Sequence, residues 1–199
     1  MTVFPLFYLG PVTYYAALLQ AENPVFDIHE HYYKQTYRNR ADIYTANGKM
    51  SLVIPVIKNK GVKTALKDIK ISYTENWQRQ HRRAIVSAYN NSPYFLYLKD
   101  EFLPLYDKKY KFLLDFNLLA HNIIMKLLKT DLNIPFSKEY IYGKDIKDYR
   151  NVFAAKNMKE PNNTGIRYTQ VFEEKHGFIP GLSIIDLLFN EGNAALSYL

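Results

Sequence analysis

Residues 29–40, HEHYYKQTYRNR, hold the densest set of groups in the chain able to do chemistry. In an extended backbone alternate side chains share a face, so His29 and His31 project together, and so do Arg38 and Arg40. Two arginines at that spacing, with Lys34 nearby, suit a phosphate or carboxylate: a guanidinium grips it with a two-pronged fork and an ammonium as a point charge. Asn39 adds an amide between the arginines. The same cations would equally protect a solvated sheet edge. A metal reading of the His-x-His pair needs a third ligand, and no spacing in the chain marks one, so no metal site is expected.

Residues 75–95, ENWQRQHRRAIVSAYNNSPYF, form the second constellation. Trp77, His81, Ala84 and Ala88 fall on one face of a helix. An indole beside an imidazole can stack a base or a sugar while the histidine, whose ordinary pKa lies near 6.5, moves a proton. Gln80 supplies an amide next to it. The alternative is that Trp77 is core and His81 only hydrogen-bonds a neighbour. On the functional reading His81 and His31 are the acid/base candidates, Lys34, Arg38, Asn39, Arg40, Trp77 and Gln80 bind substrate, and both constellations meet in one pocket.

The elements that must position these residues follow from pattern. VFPLFYL (3–9) is β-rich and stops at Gly10-Pro11. A helix over 12–21 follows, with Pro11 suited to its start, and PVFDIHE (24–30) is a second strand. A helix crossing between two strands makes them parallel neighbours. The first constellation then lies just past the second strand's carboxyl end, where open α/β sheets place their ligands. Asn47-Gly48 between β-rich runs predicts a hairpin over 38–57, and DIKISY (68–73) is a further strand. Helices are expected over 75–91, ended by Pro93, then 99–107, 109–129 and 183–190, the last capped by Ser183. Residues 135–165, rich in breakers and polar groups, read as a lid or connector. The fold class expected is α/β: a mostly parallel, Rossmann-like sheet with an antiparallel hairpin and a helical C-terminal half, in a single domain over 1–199.

Composition narrows the chemistry. The 199 residues carry 26 Lys and Arg against 19 Asp and Glu, a net charge of +7. That balance suits an anionic partner. The basic run Lys58, Lys60, Lys63, Lys67, Lys70 lacks the interleaved aromatics of a stacking nucleic-acid groove, so a small anion is expected rather than nucleic acid. There is no cysteine, hence no disulfide, thiolate metal site or cysteine nucleophile. No GxGxxG, GxxxxGK[ST], GxSxG or HExxH occurs, and no cofactor is expected. No apolar stretch reaches the roughly 20 residues of a membrane span, which makes a cytoplasmic protein the expectation. The 18 Tyr, 12 Phe and 1 Trp suggest half-apolar, half-hydrogen-bonding surfaces, whether in a cleft or at an interface with another protein.

YLGPVTYYAALLQA, HEHYYKQTYRNR, the NGKMSLVIPV hairpin, NWQRQHRRAIVSAYNNSPYF and GFIPGLSIIDLLFNEG together resemble the WbqC-like family, in the form common among Bacteroidetes. Asn39, Arg40, Asn47, Gly48, Pro55, Trp77 and His81 fall on its motifs, while Phe4-Pro5 stands where many members carry Gln-Pro. The family's link to surface-polysaccharide genes implies a transferase, or a related binding protein, acting on a nucleotide- or phosphate-bearing substrate. A nucleic-acid-binding module and a non-catalytic interaction protein are the rival classes.

Overall fold

In the computed structural model, which describes residues 1–57, 63–153 and 166–199, the first apolar run yields only a three-residue strand, β1 (Thr2–Phe4). Pro5 ends it, having no amide to give a ladder. Residues 6–10 stay buried without forming a strand. Gly10 is required there, because a Cβ would sit 2.9 Å from the Tyr14 ring and 3.2 Å from Phe7. Pro11 occupies the N-cap of α1 (Val12–Leu19), and the chain returns through β2 (Pro24–Phe26).

β2 pairs parallel with β1, Val3 opposite Val25, as the crossover helix predicts. The other side of β1 is taken by β7 (Lys147–Asp148), also parallel, giving the order β2-β1-β7. Beyond β2 the chain makes one further parallel bridge, Phe26 to Phe136. The mixed α/β class is as expected, but the strands described are too few and short to bear out a Rossmann-like sheet. The parallel sheet has three short strands, and the remaining β-rich segments pair with one another. β3 (Arg40–Thr45) and β4 (Gly48–Val53) form one antiparallel pair, and β5 (Val56–Ile57) and β6 (Lys70–Ile71) another. The class is mixed α/β, and among the described residues the strands form three small sheets.

The β3–β4 hairpin lies where Asn-Gly puts it, one position out of the expected frame. Thr45 pairs with Gly48, so Ala46 and Asn47 make the turn, and Gly48 takes the left-handed position at φ +92°. Neither turn residue has a positive φ, which rules out the type I′ geometry.

The helical part holds α2 (Trp77–Tyr89), α4 (Leu113–Leu127) and α6 (Ile184–Glu191) within or near the expected spans. By contrast, α3 (Phe95–Phe102) starts four residues before the expected 99–107 helix and gives way to a 3-10 turn over Leu103–Tyr106, and α5 (Glu173–His176) is an additional turn. Ser183 caps α6, its hydroxyl accepting from the Ile185 amide. Ile184, Ile185, Leu187, Leu188 and Phe189 of α6 are fully buried, against α1, α3, α4 and β3. Each contributes on the order of 1.5–3 kcal/mol by leaving water.

Residues 135–153 do not stand apart as a connector. They supply the Phe136 bridge, β7, and the buried Arg150 and Phe153. The rest of the expected lid, 154–165, and the start of the basic run, 58–62, lie outside the described residues. Among the described residues no helix is long and apolar enough to cross a membrane.

Candidate functional site

Past the carboxyl ends of β2 and β7 the chain carries Asp27 and Arg150, and these two meet. Asp27 is fully buried. Its Oδ1 accepts from the His29 amide and the Ser137 hydroxyl, both at 3.0 Å. Its Oδ2 accepts from Arg150 Nη1 at 2.6 Å and the Ile141 amide at 3.3 Å. Arg150 turns its remaining nitrogens on Asp148, Nε at 3.0 Å and Nη2 at 2.6 Å from the carboxylate. A second pair adjoins the first. Arg38 forks onto Glu30, Nε donating at 2.8 Å and Nη2 to the other oxygen, and the same Nη2 reaches the Arg150 carbonyl at 3.0 Å.

Two guanidinium groups and three carboxylates therefore form one continuous lattice at the edge where open α/β sheets bind ligands. Aromatic rings wall it: Phe7 and Tyr33 flank the Arg38 guanidinium at 5.7 and 5.8 Å, and Tyr140 lies 4.6 Å from that of Arg150. Burial pushes the Glu30 carboxyl up although Arg38 pulls the other way. Asp148 is also partly desolvated, yet the Arg150 hydrogen bonds hold it below the usual carboxylate range.

Above the lattice sits an accessible rim. His31 is exposed, and its ring stacks on Tyr140 with centroids 6.5 Å apart. Tyr33 is about half exposed at 54 %, and Lys34 next to it is exposed. Gln35, at φ +58°, and the Thr36 hydroxyl, which donates to the Tyr33 carbonyl at 2.9 Å, shape the turn that presents them. The rim thus offers an imidazole, an ammonium and two phenol rings on a rigid charged floor. Among the described residues no group of three or more His, Asp or Glu is placed to hold a metal ion.

The other residues singled out by sequence sit differently. Arg38 is 1 % exposed and grips an internal carboxylate, not an external anion. Asn39 is buried, its amide donating to the Ile54 carbonyl at 2.8 Å and so tying this turn to the end of β4. Arg40 is partly exposed on β3, bound to Asp42 at 3.3 Å and to the Ser51 hydroxyl. The two arginines do not share a face, because the chain before Arg40 is a turn closed by the Asn39 amide on the Thr36 carbonyl. The alternation rule applies only within a strand.

Trp77 is 1 % exposed and packs edge-on against His81 and Phe116. The His81 Nδ1 lies 3.0 Å from the Tyr8 hydroxyl, which in turn is 2.7 Å from that of Tyr106. Burial, opposed only by a hydrogen bond to the Val53 backbone, pushes the His81 imidazole down to about 4. This pair is the core alternative left open by the sequence. Gln80 is exposed on another face of α2. His31 and His81 do not meet: one stacks on an exposed tyrosine, the other is enclosed by Tyr8, Trp77 and Tyr106.

Sequence reasoning missed Asp27, Glu30, Tyr140, Asp148 and Arg150. Asp27 carries a signal, an acid directly after a parallel strand. Arg150 carries none, since its neighbours have no regular pattern.

The WbqC-like protein family matches residues 7–160 of this chain. The chain belongs to the WbqC-like family. No curated protein and no solved structure matches it. The WbqC-like span begins after β1 and stops short of α6, and it contains every residue of the lattice and the rim.

Proposed function

We propose that this WbqC-like protein is a small-molecule transferase, or a binding protein related to one, that takes a nucleotide- or phosphate-bearing substrate of surface-polysaccharide metabolism at the carboxyl edge of its parallel sheet. A cytoplasmic setting goes with a substrate of that kind. The observation that carries the reading is the rim on its lattice: an exposed imidazole, ammonium and two tyrosine rings beside hydrogen-bonded ion pairs whose arginines are buried. Lys34 and His31 meet the anionic group, Tyr33 and Tyr140 pack against the ring of the base or sugar, and His31 is the acid/base candidate within reach of the substrate. Arg38, Asp27 and Arg150 act from below as positioning residues.

The test is a thermal-shift titration with nucleotides and nucleotide-sugars. A ligand present at 100 times its dissociation constant adds about 2.7 kcal/mol, which for this size is a rise of roughly 5–10 °C in Tm. Lys34→Ala and His31→Ala are expected to abolish the rise and leave the unliganded Tm unchanged. Tight binding of mixed DNA or RNA with no shift from any small molecule overturns the reading in favour of a nucleic-acid module.

A further inference from the structure

We infer that the antiparallel ribbon of β5, β6 and residues 111–113, with the α2 face beside it, is a docking surface for an anionic lipid bilayer. Ile57 pairs with Lys70, and Lys70 bridges to Phe112. Residues opposite one another in an antiparallel ladder project on the same side. An aliphatic, a cationic and an aromatic side chain therefore stand in one row. Ile57 is 56 % exposed, Lys70 is exposed and Phe112 is partly so. The surface is separate from the rim, to which it connects through the 3-10 turn Leu66–Asp68 and the Leu66 amide on the Glu30 carbonyl. It does not rest on the function proposed above.

Fixed cations border the ribbon. The Ile71 amide donates to the Lys111 carbonyl at 3.0 Å, the Gln78 side-chain amide to the Lys108 carbonyl at 2.6 Å, and the Tyr73 hydroxyl to the Tyr110 carbonyl at 3.0 Å. Residues 108–111 are thereby pinned alongside β6 and the start of α2. Lys108, Lys109 and Lys111 are exposed, with the Lys109 ammonium 5.2 Å from the Tyr73 ring and that of Lys111 5.2 Å from the Phe112 ring. Arg82 reaches the same segment through Asp107 at 2.6 Å, and the exposed Arg79 lies one turn before it on the same face of α2. Among the described residues, Lys70, Arg79, Lys108, Lys109 and Lys111 have no carboxylate partner. The nearest free acids in sequence, Asp68, Glu75 and Asp115, are also exposed.

Unpaired cations gathered on one rigid surface favour a partner with many negative charges. Two features choose a bilayer over a nucleic acid. The first is Ile57, an aliphatic side chain standing in water beside Lys70. A bilayer offers it an apolar phase beneath the headgroups, whereas a phosphodiester backbone does not. The second is the state of the rings. Tyr73 and Phe112 each lie under a lysine ammonium, and a base-stacking platform needs open ring faces. On a membrane the same arrangement works, because lysine stems lie along apolar surface while their heads reach phosphate. Each cation near an anionic surface raises affinity about five-fold, so five acting together suffice for reversible attachment without a spanning helix.

The experiment is co-sedimentation of the full chain with vesicles of phosphatidylcholine and phosphatidylglycerol. Pure phosphatidylcholine vesicles and a single-stranded RNA oligonucleotide are the comparisons. At low salt the mixed vesicles are expected to bind at least about 100-fold more tightly than the pure ones, and the advantage to shrink as salt rises. Lys70→Gln, Lys109→Gln and Lys111→Gln combined are expected to weaken that binding about 100-fold and to flatten its salt dependence. The Tm of this variant stays nearly unchanged, because all three lysines are exposed. Ile57→Ser is expected to weaken binding about ten-fold at every salt concentration. The inference is overturned if the wild-type chain binds both kinds of vesicle alike, a result that needs no variant to fold. It is also overturned if the triple variant, folded with an unchanged Tm, binds as the wild type does. Tighter binding of the oligonucleotide than of the mixed vesicles, with Ile57→Ser affecting neither, overturns it in favour of a nucleic-acid surface. Loss of nucleotide binding at the rim has no bearing on these outcomes.

Discussion

The carboxyl-edge lattice and the Trp77 cluster began as the same kind of signal, a run of polar and aromatic residues with chemistry to spare. Each uses it differently. Around Asp27, Glu30, Arg38 and Arg150, charge is buried in hydrogen-bonded ion pairs, with the exposed Asp148 at their margin and an exposed rim beside them. Around Trp77 and His81, neutral groups are packed ring on ring, with a hydroxyl chain through Tyr8 and Tyr106 and no accessible face. Chemistry-bearing residues therefore mark function only where some of them remain uncommitted. At the edge the commitment is made by Arg38 and Arg150, and His31 and Lys34 remain free of it.

The sharpest way to break the contrast is to cut the lattice. Arg150→Ala leaves Asp27 buried without its ion partner, and equilibrium denaturation is expected to show a loss of about 3–5 kcal/mol. A loss under 1 kcal/mol would mean that the lattice does not hold the edge.

Acid probes the cluster. His81 has a folded pKa of about 4, below its ordinary 6.5, so the unfolded chain takes up the proton first. Its contribution is complete above pH 6.5, falls as the pH falls, and is gone below about 4, a difference of about 3 kcal/mol. His121 acts in the same sense. Asp186, raised by burial to about 6, and Glu30, also raised, act in the opposite sense, so the isolating comparison is with His81→Gln. Between pH 7 and pH 4 that variant is expected to lose about 3 kcal/mol less than the wild type in denaturant titrations.

Tyr8→Phe is a smaller perturbation. It removes the hydroxyl between His81 and Tyr106 and strands both, with an expected loss of about 1–3 kcal/mol. Lys34→Ala comes last. On an exposed rim it is expected to change unliganded stability by less than about 0.5 kcal/mol, and a larger loss would place Lys34 with the lattice rather than above it.

Much of the helical half is legible in the sequence because apolar spacing decides it: α2 runs from Trp77 to Tyr89 as its stripe requires, and Ser183 caps α6. The parallel pairing of β1 and β2 is legible from the intervening helix. The extent of the sheet is not, since Pro5 stops β1 after three residues in a run that is β-rich throughout. At the candidate site, the place of the HEHYYKQTYRNR run just past β2 is legible from the strand that precedes it, whereas nothing in the run itself tells that His31 and Lys34 are exposed. The fate of Arg38 is not legible either. Its side chain turns inward to meet Glu30 and the carbonyl of Arg150, a residue 112 positions away. No local pattern encodes such a contact.

The placement of β7 against β1 has a kinetic consequence. Its register joins Thr2 and Val3 to Lys147 and Asp148, and the lattice joins Asp27 to Arg150 across 123 positions. Contacts so distant along the chain demand loop closure before they return any stabilisation, which slows folding. During synthesis the first two strands leave the ribosome long before their third neighbour exists. Until residue 150 emerges, Asp27 has no counter-ion and is better served by water than by burial. The carboxyl edge is thus the last part of the sheet to become solid, and the rim takes its shape only when most of the chain has been made.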